Sequence, residues 1–333
     1  MNKLNSEMST SLLYYFIILA CLISTITHAQ TTKIPSVKAK HGQPLNWIPF
    51  NWTGDSVSGR YFDKLAITIP VTLDKLPHQF NMQLDLGAVT TVIYGNFIQP
   101  YLEKYAELKK KIDTTLTFVM QGQKTCMFKN MGLKLGNVSF GNINIGYFKN
   151  FGDSILMDSI NSLSIKHIGT IAPDIFQDKL LIIDYPNERI CIVDDLPKVY
   201  SKAFFMPYKI RNGRIKIPFI IGEKEEDVLF DTGSSLFSLM TTEKRAIEIS
   251  GNQISDSLKS SSWGESFWFF GQKTNLKIKF GNKQFKPALI FYDRLNKFDK
   301  FYEEESIWGI TGNAYFFNNV VIIDYKNKRF GVK

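Results

Sequence analysis

Short runs of apolar residues, many of them alternating with polar ones, follow one another along most of this chain and end at Gly, Asn, Asp or Pro. Clear examples are residues 65–69, 116–120 and 276–280. Alternation with a period of two is typical of strands that bury one face. Helical spacing is scarce and is best developed over 97–112, with Pro100 in the expected first turn. The pattern therefore predicts a mostly β fold.

Four landmarks occur twice, in the same order. They are an Ile-x-Ile-Pro strand (67–70 and 215–218), an Asp-x-Gly turn (85–87 and 231–233), a strand ending in Gly-Asn (136–137 and 281–282) and an Ile-Asp-Tyr ending (183–185 and 323–325). Asp85 precedes Gly136 by 51 residues, and Asp231 precedes Gly281 by 50. A repeat of this length indicates a duplicated lobe rather than a solenoid unit. We expect an N-terminal lobe over 30–200 and a C-terminal lobe over 201–333, joined near 196–213.

The N-terminal segment has the pattern of a signal peptide. Lys3 precedes an apolar stretch over 12–20, and Thr27-His28-Ala29 offers small residues where a signal peptidase reads. The stretch is short for a membrane span, which needs about 20 apolar residues. We expect residues 1–29 to be removed after Ala29, the protein to be exported (secreted or periplasmic), and no stable membrane insertion to remain. A retained N-terminal anchor is the alternative.

Composition and charge narrow the classes of function. With 333 residues, 44% of them hydrophobic, the chain can bury a sizeable core in one large domain or two modest ones. The formal net charge is +9, but the lysines are scattered along the chain. A nucleic-acid binder shows a clustered basic patch, so we expect no nucleic-acid partner.

Cysteine and histidine give little chemistry. Cys126 and Cys191 remain after cleavage, and they could form one disulfide or stay as two thiols. His41, His78 and His167 are isolated, without the spacing of a zinc site. Glycine-rich phosphate loops are absent from the sequence. We expect neither a metal nor a cofactor.

The two Asp-x-Gly turns are the candidate site. Each follows an apolar strand that places Asp85 or Asp231 at its end, and the glycine permits a tight turn and close approach of backbone amides. If the two halves meet at a pseudo-twofold axis, the carboxyls lie close together. Two like charges in contact cannot both ionise easily, so the pair shares a proton. One carboxylate can then take a proton from water while its protonated partner protonates a carbonyl.

On these motifs, over about 67–332, the chain resembles the bilobal pepsin-like aspartic proteases, with similarity to the retroviral-type enzymes. Residues 229–235 fit the family's catalytic turn, and Ile307-Trp308-Gly309 and His167-Ile168-Gly169 are similar to the segments that support each catalytic loop. The resemblance implies an endopeptidase with two homologous β-barrel-like lobes and an interlobe cleft. It further implies a monomer that takes an extended peptide or protein substrate. The implied catalytic residues are Asp85 and Asp231, supported in their turns by Gly87, Thr232, Gly233 and Ser234.

The first turn departs from the family pattern. Leu86 stands where Thr or Ser is expected, so the reciprocal hydrogen bonds between the turns cannot form symmetrically, and Thr232 is expected to lose its partner. Ala88 lacks the hydroxyl that Ser234 would offer to its own aspartate. From these hydroxyls we expect Asp231 to be the more ionised aspartate and Asp85 to carry the shared proton. The hairpin expected over the cleft, near 118–126, shows no flap tyrosine and has Gln121 in that place.

Other readings of the same residues stay open. The chain could be a protease-shaped peptide-binding protein whose first turn has lost catalytic competence, with Leu86 as the main argument. Asp85 and Asp231 could also be ordinary turn residues. Asp184 and Asp324 are expected to be structural strand-end acids. The aromatic cluster within 263–270 could line the cleft, or it could serve the core or a strand edge.

Overall fold

The computed structural model describes residues 45–120, 122–162, 164–262, 265–286 and 289–333. The predicted signal peptide, Cys21, His41, Gln121 and Trp263 lie outside these residues. The described part of the chain is mostly β. Its strands are β1 Ile48–Pro49, β2 Asn51–Val57, β3 Arg60–Leu73, β4 Gln79–Leu84, β5 Val92–Tyr94, β6 Ile112–Met120, β7 Gln123–Leu135, β8 Val138–Phe148, β9 Lys166–Ile171, β10 Leu180–Asp184, β11 Arg189–Val193, β12 Phe204–Pro207, β13 Lys209–Arg211, β14 Arg214–Ile221, β15 Lys224–Phe230, β16 Leu239–Met240, β17 Ile254–Ser262, β18 Glu265–Lys273, β19 Ile278–Phe280, β20 Lys283–Gln284, β21 Leu289–Asp293, β22 Gly309–Thr311, β23 Val320–Asp324 and β24 Arg329–Val332. Its α-helices are α1 Gly95–Lys104, α2 Ala106–Lys109, α3 Glu243–Ser250 and α4 Asp299–Glu305.

The strands form three sheets. The first sheet has the order β2-β3-β4-β9-β5-β8-β7-β6, and an additional pairing of β3 with β7 curls it back on itself. The second sheet has the order β17-β18-β21-β16-β22-β15-β14-β19-β20, with β13 beside β14. A shared sheet takes strands from both halves of the chain in the order β1-β11-β10-β23-β24-β12.

The first and second sheets repeat one pairing scheme. The path β3-β4-β9-β5-β8-β7-β6 in the first sheet has the same directions of pairing as β14-β15-β22-β16-β21-β18-β17 in the second. In both, the strand before the Asp-x-Gly turn pairs in parallel with a strand that comes much later in the sequence, β9 or β22. The Ile-x-Ile-Pro strands and the Asp-x-Gly turns therefore occupy matching places in the two sheets.

The shared sheet joins the two halves at its centre, where β10 and β23 pair antiparallel with Ile182 opposite Ile322. Both faces of this sheet are covered. Leu181 and Ile183 face the main hydrophobic core, whereas Leu180 and Ile182 pack with Ile322 in a smaller core on the other face. Burial on both faces explains why these strands read as continuous apolar runs instead of alternating.

The strand-end acids Asp184 and Asp324 have the structural role expected of them. Both are buried. Asp184 accepts hydrogen bonds from Asn187 Nδ2 and from Arg189 Nε, and the equivalent residues around Asp324 make the same bonds. Each carboxylate closes the turn that follows its strand.

The helix predicted over 97–112 is wrong in its bounds. Helix α1 begins two residues earlier, the chain breaks at Tyr105 (φ −115°, ψ 88°), and the short α2 ends at Lys109. Pro100 is the sixth residue of α1, not part of its first turn. From Ile112 onward the chain pairs with β7, because the antiparallel ladder satisfies its backbone and overrides the helical spacing of its side chains.

A hairpin of the first sheet reaches the second sheet. Strand β3 begins with Arg60, whose guanidinium donates to both carboxylate oxygens of Asp256 on β17, at 2.9 and 2.8 Å. Ser58 Oγ accepts a hydrogen bond from Lys259 N at 2.7 Å. Behind these polar contacts, Val57 and Phe62 pack against the core beneath the β17–β18 hairpin. The two sheets are thus linked outside the shared sheet as well.

The cysteines and the aromatic segment singled out in the sequence have defined places in the fold. Cys126 and Cys191 lie on strands of different sheets and are both free thiols. In the aromatic segment of β18, Phe267 and Phe269 are buried while Trp268 is half exposed, so the residues alternate between core and surface. Among the described residues, no helix has the length and apolar character needed to cross a membrane.

We predict that Asp324→Ala lowers the free energy of unfolding by about 3 kcal/mol, because it removes a buried carboxylate that accepts from Arg329 and Asn327. Lys326→Ala is the control: its ion pair with Asp195 is exposed and 4.0 Å long, so its loss costs under about 0.5 kcal/mol. Urea unfolding at pH 7 measures both values. Equal losses in the two variants would contradict this structural role of Asp324.

Candidate active site

Each candidate aspartate directly follows a strand inside its own sheet. Asp85 N donates to Ile171 O at 2.9 Å, and Asp231 N donates to Thr311 O at 2.9 Å. These bonds extend the parallel pairings β4–β9 and β15–β22 by one residue. Both aspartates are therefore fixed at the same point of the repeated scheme.

The two Asp-x-Gly turns pack against each other through their glycines. A Cβ atom at Gly87 would lie 2.3 Å from Asp231 Cγ, and a Cβ atom at Gly233 would lie 2.8 Å from Asp85 Cγ. Neither position can hold a side chain, so glycine is required for this close approach. The backbone of each turn thus contacts the carboxyl of the opposite turn. The two carboxyls therefore come together although Asp85 and Asp231 are 146 residues apart in the sequence.

Backbone amides orient the carboxyls. Asp85 Oδ1 accepts from Gly87 N and from Ala88 N, each at 3.0 Å, and Asp231 Oδ1 accepts from Gly233 N at 2.8 Å. Asp85 is buried, whereas Asp231 keeps partial exposure to solvent. The pair is therefore rigidly held but open to solvent on the side of Asp231.

Burial raises the pKa of both carboxyls, and more strongly at Asp85, where the negative charge of Asp231 adds to the effect. At Asp231 the rise is opposed by the hydrogen bond with Asp85, by the amide of Gly233 and by the charge of Arg214. The protonated form is therefore favoured more strongly at Asp85 than at Asp231. This direction agrees with the expectation from the sequence, but its cause differs. The charge of Asp231 raises the pKa of Asp85 and the charge of Arg214 lowers that of Asp231, whereas backbone amides lower the pKa of both carboxyls.

Thr232 does not lose its partner, and the expectation that it would is wrong. Its Oγ1 accepts from Leu86 N at 2.9 Å and donates to Leu84 O at 2.8 Å. Both partners are backbone groups of the opposite turn, so they are present whatever side chain stands at position 86. Leu86 cannot return such bonds, and its side chain is fully buried in the main core. The link between the turns is therefore made by one hydroxyl instead of two.

Ser234 contributes differently from what the sequence suggested. Its amide donates to Asp231 O at 3.1 Å, which closes the turn. Within the described ranges, Ser234 Oγ makes no hydrogen bond to the Asp231 carboxyl. Ser234 is thus a turn residue, and the orientation of Asp231 comes from Gly233.

Sequence reasoning missed several residues around the pair. Tyr94 lies near Asp85, and its Oη shares a 2.5 Å hydrogen bond with Thr170 Oγ1. Burial raises the pKa of Tyr94 to about 12, so it stays protonated. Asn313 Nδ2 donates to Thr232 O at 2.7 Å, and Asn313 Oδ1 accepts from the hydroxyl of Tyr185 in the other half. No local motif marks these contacts, because each joins distant segments.

Comparison with known proteins does not identify a family for this chain. No protein-family model matches it, and no curated protein matches it significantly. Within the described ranges, no group of three or more His, Cys, Asp and Glu side chains is arranged to hold a metal ion. The geometry of the aspartate pair is therefore the basis for a functional proposal.

We predict that Thr232→Val costs about 2–4 kcal/mol of unfolding free energy, since it leaves Leu86 N and Leu84 O buried without a partner. Thr311→Val is a matched control, because the Thr311 hydroxyl is also buried but bonds a single backbone group, Ser238 O. Its expected cost is roughly half as large. Equal losses in urea unfolding would show that the cross-turn bonds carry no special weight.

We also predict that Asp85→Asn flattens the dependence of stability on pH. The folded wild type keeps a proton on Asp85 above the unfolded pKa of about 3.9, so stability declines as pH rises from there through the raised folded pKa. Asparagine cannot ionise, and part of that slope disappears. Urea unfolding from pH 4 to pH 7.5 measures it, with the exposed Asp178→Asn as control. A slope in Asp85→Asn as steep as in wild type and control would refute the raised pKa.

Proposed function

We propose that the chain is an exported aspartic endopeptidase with an acid-protease fold of two lobes, 30–200 carrying Asp85 and 201–333 carrying Asp231. The observation that carries the proposal is the reciprocal packing of Gly87 on the Asp231 carboxyl and of Gly233 on the Asp85 carboxyl. The repeated pairing scheme and the sheet shared between the halves support two equivalent lobes. The apolar N-terminal stretch supports export.

The asymmetry of the pair supports an assignment of roles. Asp231 is the more easily ionised and the more exposed carboxyl, so it takes a proton from a water molecule. Asp85 holds the shared proton and donates it to the carbonyl oxygen of the scissile amide while the water oxygen adds to the carbon. Asp231, now protonated, passes its proton to the amide nitrogen as the C–N bond breaks, and Asp85 regains a proton from a hydroxyl of the tetrahedral intermediate. Each carboxyl thus gives up one proton and takes one up in a turnover, and the pair returns to its starting state.

The surroundings of the pair favour an extended peptide as substrate. Strand β6 lies at the edge of the first sheet, and a free edge can pair with the backbone of an added strand. Phe118 and Met120, at the end of β6, pack against Val92 and Tyr94 beside Asp85. This apolar cluster is a suitable contact for an apolar substrate side chain next to the cut.

Leu86 is the observation that favours a second function, a protease-shaped protein that binds peptides without cleaving them. Its side chain removes one of the two hydroxyl links between the turns. The retained pair argues for the enzyme, since binding an extended peptide requires neither two facing carboxyls nor a raised pKa on one of them.

We predict that the mature protein cleaves members of a peptide library between acid and neutral pH, and that Asp85→Asn and Asp231→Asn each lower kcat/KM by about 10³-fold or more. Asp178→Asn, which changes an exposed aspartate outside the site, keeps wild-type activity. Mass spectrometry of the cleaved library gives the rates.

Cleavage that survives in either pair variant would exclude the two-aspartate mechanism. Peptide binding by the wild type without any cleavage, unaffected by both substitutions, would instead support the binding protein.

A further inference from the structure

Arg214 joins the two halves beside the aspartate pair. It is the first residue of β14, and its side chain is only 10% exposed. Its Nε donates to Gly87 O at 2.7 Å, in the turn of the opposite half. Its Nη1 donates to Glu305 Oε1 at 3.0 Å, and its guanidinium lies 5.4 Å from the centre of the Phe301 ring. The planar fork of the guanidinium allows both hydrogen bonds at once.

The charge around Glu305 is unbalanced. The Glu305 carboxylate is fully buried, and it also accepts from Lys216 Nζ at 2.6 Å, with Lys216 only 3% exposed. Two cations therefore face one carboxylate. Burial lowers the pKa of Lys216 against the opposing effect of Glu305, whereas Arg214 stays charged at any working pH. The permanent positive charge is thus the one that reaches the aspartate pair.

The first half has no counterpart to this group. Counting from the Ile-x-Ile-Pro landmarks, Ala66 and Thr68 stand where the second half has Arg214 and Lys216. Counting back four residues from Gly169 and Gly309, Ile165 stands in place of Glu305. The first half therefore lacks this charged group at the equivalent positions, just as Leu86 lacks the hydroxyl of Thr232.

The bond to Gly87 O acts on the peptide that organises the site. Gly87 O shares its peptide with Ala88 N, which donates to Asp85 Oδ1, and the Gly87 Cα packs on the Asp231 carboxyl. Thr232 already holds the same turn at Leu84 and Leu86. Arg214 adds a third hydrogen bond from the second half to the turn that has no hydroxyl of its own.

We propose that Arg214 is a positioning residue of the aspartate pair: it clamps the first turn onto the second half and keeps the negative charge of the pair on Asp231. The inference rests on the proposed peptidase function for its role in the reaction. Arg214 holds the pKa of Asp231 below the value that burial alone gives it, and thereby separates the base from the acid.

Other charged groups near this site are few among the described residues. On the side of the aspartate pair, the titratable groups are Asp85 itself and the hydroxyl of Tyr94, which stays neutral. Glu305 and Lys216 face Arg214, and Arg211 acts on Lys216 from the surface. A change confined to Arg214 therefore removes a permanent charge that acts on Asp231.

The test compares Arg214→Met with Lys216→Met. Either substitution leaves Glu305 with one cation, so both variants have the same balance of one buried cation to one carboxylate, but only Arg214→Met removes the bond to Gly87. In Arg214→Met we expect the acid limb of the pH profile of kcat/KM to move to higher pH. At the wild-type optimum, kcat/KM should fall about 10- to 100-fold, as for the loss of a charged hydrogen bond. In Lys216→Met the acid limb should stay in place.

Arg214→Lys provides a second test should Arg214→Met fail to fold. Lysine keeps the charge but lacks the fork, so the acid limb should stay near that of the wild type while kcat falls about tenfold. Wild-type kcat in Arg214→Lys, or an acid limb in Arg214→Met that matches Lys216→Met, would overturn the proposal.

A titration of ¹³C-labelled aspartate carboxyls by NMR separates this inference from the proposed function, because it needs no turnover. A higher titration point of Asp231 in Arg214→Met, in a protein that cleaves no peptide, would uphold the control of charge by Arg214 and refute the peptidase. An active wild type in which Asp231 titrates identically with and without Arg214 would uphold the peptidase and refute the control of charge by Arg214.

Discussion

The rest of the structure depends on the contact between each Asp-x-Gly turn and the carboxyl of the other. Glycine at 87 and 233 lets the backbones approach so closely that each carboxyl packs directly against the glycine of the opposite turn. The shared sheet, centred on the β10–β23 pair, holds the halves in the register that this contact needs. The parallel pairings β4–β9 and β15–β22 then aim both aspartates at the same place. Burial and mutual repulsion of the carboxyls follow from that geometry.

The two halves share one scheme of pairing but differ where chemistry requires a difference. Position 86 carries Leu and position 232 carries Thr, so a single hydroxyl spans the turns. Arg214, with no counterpart in the first half, adds a bond and a charge from the second half. Both differences hold the first turn from the second half, and the charge of Arg214 also lowers the pKa of Asp231 against the effect of burial. A nearly symmetric scaffold thereby holds an acid and a base of different strength.

Much of the fold could be predicted from the sequence because its signals are local or repeated. Alternating runs predicted the strands, and paired landmarks predicted that Asp85 and Asp231 lie in equivalent turns. The break of the helix at Tyr105 and the partners of Thr232 could not be predicted, since they depend on the register between distant strands. Arg214 and Lys216 alternate with Ile215 and Ile217, a pattern typical of a strand with one exposed face. Both cations are instead buried and paired with Glu305. Because Glu305 lies 91 residues from Arg214 and 89 from Lys216, no local sequence pattern signals these contacts.

The central claim is that the Asp85 and Asp231 carboxyls interact directly across the two halves. The titration of Asp85, followed by carboxyl ¹³C NMR in the wild type and in Asp231→Asn, tests it most directly. Because the charge of Asp231 raises the pKa of Asp85, the account predicts that Asp85 titrates at lower pH once Asp231 is replaced. An Asp85 titration curve that is the same in both proteins would contradict the claim.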